Sequence, residues 1–303
     1  LLQFAAATLQ SAPACTSSSA CPAPLLSDSL SLLLDLFRPV TSALALATCF
    51  LAAIKCPVGV CQTTVPNSPQ RDPQGISLIQ TVLATAGGAS TLSNLGEISA
   101  SGNITFHWTD EDVIGTATVK ASGARQLRLE AAVPNGHPIW IAHAGGGKFV
   151  DLGGTSHTMP VRDAWSFASL LSPFSYLLEA AADNRLGIKY DGLVDHAGKQ
   201  LLEIEIQGFS TSAGAGLVLD FRRCVFVDPS TNVVLSVADE TWPQGVGTKK
   251  ILHEIIYSNY QTVQGVTLPS SISDYVAGQN TFDLQLTQIS ATSTVTDSDF
   301  SVD

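Results

Sequence analysis

Strict alternation of apolar and polar side chains recurs along the chain, and it constrains the fold more than any other feature. Ile104, Phe106 and Trp108 alternate with Asn103, Thr105 and His107. Leu127, Leu129, Ala131 and Val133 alternate with Gln126, Arg128 and Glu130, and Leu202, Ile204 and Ile206 with Glu203, Glu205 and Gln207. Phe282, Leu284 and Leu286 repeat the pattern against Thr281, Asp283 and Gln285. A period of two marks strands with one buried and one wet face. The punctuation is short: Gly123-Ala124, Asn135-Gly136, Gly145 to Gly147, Gly198-Lys199, Pro229 to Asn232 and Gln264-Gly265. Such turns join antiparallel neighbours. The spacing predicts about ten to twelve strands with few crossover helices between them, which excludes a doubly wound parallel sheet. Pro269 lacks an N–H, so it is expected at a strand edge, a strand start or a bulge.

Two stretches break the alternation. In "DPQGISLIQTVLATAGG", Asp72 is placed to cap a helix with Pro73 at its first position. Ile76, Ile79, Val82 and Leu83 follow at helical spacing, and Gly87-Gly88 stops the run. In mid-chain, "VRDAWSFASLLSPFSYLLEAAADN" reads as two helices. Asp163 is the expected cap of the first, and Ser172-Pro173 ends it and opens the second. Both are apolar around much of their circumference, so each buries more than one face. A long one-sided sheet curls and needs a cover. The expected fold is therefore mainly β with a few α-helices: an unclosed antiparallel β-barrel, a strongly curved sheet covered by helices.

Of the 303 residues, 45% are hydrophobic and 14% charged, which argues against disorder. A net charge of −11, with no run of five basic residues, disfavours nucleic acid as a partner. Cys15, Cys21, Cys49, Cys56 and Cys61 all precede the folded part, and only Cys224 lies within it. Catalytic and metal patterns fail on inspection. "HEIIY" at His253 has Tyr257 where a zinc helix needs its second histidine, and it sits in a strand-like run. "HAGGGKF" lacks the first glycine and the hydroxyl of a phosphate loop. Ser156 and His157 are adjacent and point apart in extended chain, and no G-x-S-x-G exists. The six histidines show no ligand spacing, and Asp239-Glu240 fits a strand end. No cofactor is implied, and a non-enzymatic protein is expected.

The first 62 residues read as a non-domain extension containing an export signal. Arg38 precedes an apolar run from about Val40 to Ile54, short for a membrane span and suited to a signal's hydrophobic region. Cys61, followed by the polar "QTTVPNSPQRDPQG", is a candidate for acylation. Residues 63–72 read as a linker and 73–303 as one domain.

The C-terminal stretch carries a resemblance. Tyr257-Ser258-Asn259-Tyr260, the turn at Gln264-Gly265-Val266, Leu268-Pro269, the alternating "TFDLQLTQI" and the closing "TDSDF" with Phe300 resemble the LolA-like family of periplasmic lipoprotein carriers. "VFVDPSTNVVLSVADE" is similar to the preceding strand–turn–strand of that family. The likeness covers about residues 221–303, and further upstream only the order of elements agrees. It implies an unclosed barrel with a helical lid over an apolar cavity that shields acyl chains. It also implies a place in the periplasm; with the export signal read around residues 38–61, a monomer in the periplasm or at the outer membrane is expected, with envelope membranes as further partners. Lining candidates are Phe106, Trp108, Leu127, Leu129, Trp140, Trp165, Phe167, Phe174, Leu177, Leu202 and Ile204. Arg125 and Arg128 are nearest in position to the cavity arginine that the family uses as a polar latch, and Arg128 alternates onto the polar face. The expected function is an exported carrier or binding protein for lipoprotein acyl chains or another amphiphile. The alternative is a structural or assembly factor of the envelope with the same fold and no ligand cavity.

Overall fold

Two-residue turns organise the sheet. Ala197-Gly198, Gln264-Gly265 and Ala277-Gly278 each place both residues at positive φ, the primed-turn geometry that follows the twist of paired strands. The computed structural model describes residues 68–108, 111–212, 216–241, 251–291 and 295–301. The expected export signal and Cys61 lie outside the described residues.

Within these, helices α1 (Pro73–Thr85) and α2 (Ala89–Asn94) lead into six strands. These are β1 (Glu97–His107), β2 (Asp112–Ser122), β3 (Gln126–Ala132), β4 (Ile139–His143), β5 (Gly146–Val150) and β6 (Ser156–Met159). Helices α3 (Val161–Ala168) and α4 (Phe174–Ala182) interrupt. Then come β7 (Gly187–His196), β8 (Lys199–Ser212), β9 (Gly216–Val227), β10 (Val234–Thr241), β11 (Ile251–Val263), β12 (Val266–Val276) and β13 (Gln279–Ser290). All join one antiparallel sheet in the order β6-β5-β4-β3-β2-β1-β13-β12-β11-β10-β9-β8-β7. The sheet does not close, and β6 and β7 are its two edges. The sequence predicts fewer strands than these because β6 has no fully buried side chain and so leaves no apolar stripe to read.

The curl follows from what α3 touches. It meets β3, β4 and β5 on one side and β10 on the other. In a flat sheet, the seven strand spacings from β4 to β10 would span ~34 Å, far more than the ~10 Å width of a helix. The sheet therefore wraps around the cover. Ile104, Val119, Leu127, Leu129, Ile204, Leu268 and Phe282 face inward and form a single core with Phe167, Leu170, Leu171, Phe174 and Leu177 of the cover. Each such side chain contributes about 1.5–3 kcal/mol when fully buried.

Local details show how the cover is held. Asp72 caps α1, accepting from the Gln74 N–H at 2.7 Å. At the other end of α1, Gly87 lies so close to the β11–β12 turn that a Cβ there would sit 2.2 Å from the Gly265 carbonyl oxygen. Its φ of +118° also excludes most side chains. Thr267 N–H donates to the Ala86 carbonyl at 2.9 Å, so the helix is docked on the hairpin. Pro269 pairs with Tyr260, and β12 joins β13 only from Ser271 onward, so the missing N–H falls where that side of the strand is still unpaired. Arg71 donates to the carbonyls of Ala180, Asp183 and Leu186 at 2.7, 2.6 and 3.0 Å, satisfying those that the end of α4 leaves open at Ala180 and Asp183 and tying down the link to β7. Two expected caps differ. Pro160 occupies the N-cap of α3, and Asp163 lies within its first turn, buried. Helix α4 starts at Phe174 with Pro173 as N-cap and no side-chain cap. On the outer face, Phe300 of the C-terminal turn packs with Ile139, Ile141 and Val295.

Candidate functional site

Four adjacent strands each place one ionisable side chain at an inward position. Arg223 shares its face with Val225 and Val227, Asp239 with Val237, His253 with Ile255 and Tyr257, and Asp274 with Ile272 and Val276. The register lines up three of them: Asp239 is the cross-strand partner of both Arg223 and His253. Arg223 Nη2 donates to Asp239 Oδ2 at 3.0 Å. His253 Nδ1 lies 3.1 Å from Asp239 Oδ1, and its Nε2 lies 2.7 Å from Asp274 Oδ1. Thr281 donates to the second oxygen of Asp274. The result is a buried row of alternating charge running from β9 to β12. The Arg223 guanidinium also lies 3.7 Å over the Tyr176 ring of α4, a desolvated cation–π contact.

Helix α3 docks on this row by two polar contacts. Ser166 Oγ is 2.7 Å from His253 Nδ1, and Thr241 Oγ1 donates to Asp163 Oδ1 at 2.7 Å. Serine, histidine and aspartate thus stand in the order of a nucleophilic triad. The electrostatics give them another role. Burial alone would strip the proton from His253, but Asp274, and with it Asp239, more than offsets this and raises its pKa to about 10. Burial opposes ionisation of Asp239 too, yet the hydrogen bond from His253 and the charge of Arg223 hold it below the ordinary carboxylate range. His253 is therefore an imidazolium that donates through both nitrogens, and a protonated imidazole cannot take the proton of Ser166.

A histidine whose folded pKa exceeds its ordinary 6.5 adds stability that is complete below about pH 6.5 and disappears as pH rises through about 10. Thermal melts are expected to show a midpoint that falls steadily over that window. The outer-face His107, raised by Asp283 and then by Asp112, acts in the same direction, so the decline should persist in His107→Gln. A flat profile in that variant would remove the charge from His253.

Beneath α3 lies a pocket of about 80 Å³, open on one side. Its lining includes the apolar side chains of Trp140, Phe149, Met159, Phe167 and Val276. Among them stand the polar groups of Asp163, Ser166, Thr241, His253 and Asp274, with His157 also on the lining. Trp140 lies 4.9 Å from the Phe149 ring, 5.7 Å from Phe106 and 6.3 Å from Phe167. Of the residues expected to line a cavity, Trp140 and Phe167 line this one. Phe106, Leu127, Leu129, Phe174, Leu177 and Ile204 are buried in the packed core, and Trp108 and Leu202 are partly buried against it. Trp165 donates its indole N–H to the Ala144 carbonyl at 3.2 Å. Arg125, at the β2–β3 turn, pairs with Glu179 of α4 and lies 4.3 Å over the Trp165 ring. Arg128 is on the outer face, paired with Glu130 and donating to the Asp299 carbonyl at 3.1 Å. Among the described residues, no group of three or more His, Cys, Asp or Glu could hold a metal ion, and no helix is long and apolar enough to cross a membrane.

The sheet and cover define a class: an open antiparallel half-barrel filled by helices. No family model matches the chain, and no curated protein matches it. Among solved structures it is similar to a domain from Vibrio parahaemolyticus provisionally described as an outer membrane lipoprotein-sorting protein. That match has 10% identity and a TM-score of 0.45, covering 75% of this chain and 96% of that one. It is similar also to a DUF1329 family protein from Desulfovibrio piger (7% identity, TM-score 0.45, 77% and 98% covered). A LolA superfamily protein from Nitrosomonas europaea matches likewise (11% identity, TM-score 0.44, 74% and 97% covered). The likeness ends at the fold, and the site rests on its own residues.

Proposed function

We propose that the protein is a non-enzymatic binding protein for an amphiphile, working as a carrier or receptor in the cell envelope after export. The observation that carries this reading is the pocket under α3, whose lining combines aromatic and aliphatic side chains with buried polar groups. The family resemblance of residues 221–303 and the apolar run after Arg38 support the envelope setting. At about 80 Å³, the pocket is roughly half the ~150 Å³ of an engineered cavity that admits benzene. It takes one end of a ligand, and a whole acyl chain requires α3 and α4 to lift from the sheet. Acylation of Cys61 would make the protein an anchored receptor in place of a soluble shuttle. The charged state of His253 favours binding over hydrolysis.

Native mass spectrometry of gently purified protein is expected to show a copurified lipid, and a fluorescent alkyl-chain probe to bind one per chain. Bare protein together with no probe binding would sink the reading. The small size of the pocket favours the second reading, an envelope assembly factor that works through its outer face, and that outcome would select it.

A further inference from the structure

The buried polar cluster beside the pocket holds one carboxyl group too many. Arg223 and His253 are its two cations, and Asp163, Asp239 and Asp274 are its three carboxyl groups; of these, Asp163, His253 and Asp274 reach the pocket lining. Asp239 touches both cations and Asp274 touches His253. Asp163 touches neither. Its Oδ1 accepts from Thr241, and its Oδ2 is buried with no hydrogen-bond partner among the described residues. The residue is 9% exposed and lies on the pocket lining. Arg162, its neighbour in sequence, favours its carboxylate less than Thr241 and His253 do. His157, also on the lining, has a carboxylate of its own in Asp151 at 2.9 Å.

A buried polar atom without a partner is costly unless something outside the protein satisfies it. We propose that Asp163 is the polar anchor of this pocket and that its ligand carries an aliphatic ammonium, whose nitrogen meets the Asp163 carboxyl group while its first carbons lie against Trp140, Phe149 and Phe167. The inference rests on the amphiphile reading above and specifies the head group. A third cation balances the cluster. A carboxylate head would add a fourth acid to three, and a hydroxyl head would leave the imbalance in place. Aromatic walls suit the choice, because a desolvated cation is attracted to ring faces. Burial pushes the Asp163 carboxyl above its ordinary range, and an ammonium beside it reverses that by favouring the carboxylate. The volume of about 80 Å³ accommodates a head group of this size.

The test compares three ten-carbon probes, decylammonium, decanoate and decanol, by calorimetry on the full chain in about 0.15 M salt, where the Debye length of ~8 Å suppresses general attraction to an acidic protein. Decylammonium is expected to bind at least tenfold more tightly than either of the others. Asp163→Asn keeps the size and the capacity to accept from Thr241, and it should bring the three within about threefold. Equal affinities in the native protein, or a preference for decanoate, would overturn the inference and leave the amphiphile reading standing. A preference that survives Asp163→Asn also overturns it. No binding of any probe overturns both. If the variant does not fold, the ratio in the native protein decides alone.

Discussion

Replacing His253 by leucine is expected to destabilise the fold by about 3–5 kcal/mol, the cost of breaking a buried ion pair from one side. The imidazolium stands between two carboxylates. Without it, Asp239 keeps Arg223, while among the described residues Asp274 keeps only hydrogen bonding from Thr281, in a fully buried position. Urea denaturation at pH 7 measures the deficit. It should shrink at pH 5, because protonating the stranded carboxyl removes the uncompensated charge. The double variant His253→Leu with Asp274→Leu should recover part of the loss, since it leaves the Arg223–Asp239 pair balanced. A deficit below about 1 kcal/mol at pH 7, typical of surface pairs, would contradict the buried charged row.

Trp140→Ala is expected to cost about as much, roughly 3–5 kcal/mol for a large aromatic lost from a packed site. Trp140 touches three aromatic rings and walls the pocket. Its removal therefore enlarges the pocket as well as weakening the core. The two effects separate in one experiment. The melting midpoint falls, and a saturating alkyl ligand should restore more of it in the variant than in the native protein, because ligand that binds only the folded state stabilises it and now fills vacated volume. Equal restoration in both proteins would place the ligand elsewhere.

The apolar and polar parts of the site differ in how readable they are. The strands announce themselves by alternation, and Leu127 and Leu129 or Phe282 and Leu284 fall inward as their spacing requires. The apolar part is partly legible, since Trp140 and Phe167 belong to stretches recognisable as buried. The polar row is present in the same alternation but hidden by composition. His253 keeps step with Ile255 and Tyr257, and Asp274 with Ile272 and Val276, so each is a polar residue at an inward position. Reading "HEIIY" for a helical zinc motif passed over that parity. What no single strand discloses is register, and only the pairing of Asp239 with both Arg223 and His253 turns four isolated polar residues into one row. The role of Asp163 was hidden for a similar reason. A helix-start aspartate looks like a cap until the partner strand supplies Thr241.

The gap between β6 and β7 has a mechanical meaning. A closed barrel can widen only by breaking a seam of backbone hydrogen bonds. Here no such seam joins the two edges, so the girth of the trough can change while every ladder stays intact. The resistance to widening resides instead in what joins cover to wall: the shared apolar core and side-chain fasteners such as Arg125 on Glu179, Ser166 on His253, Thr241 on Asp163, and the Tyr257 hydroxyl on the Ser169 carbonyl. The half-barrel is thus stiff along its strands and compliant around its circumference, and its compliance is set by contacts that single substitutions can loosen one at a time.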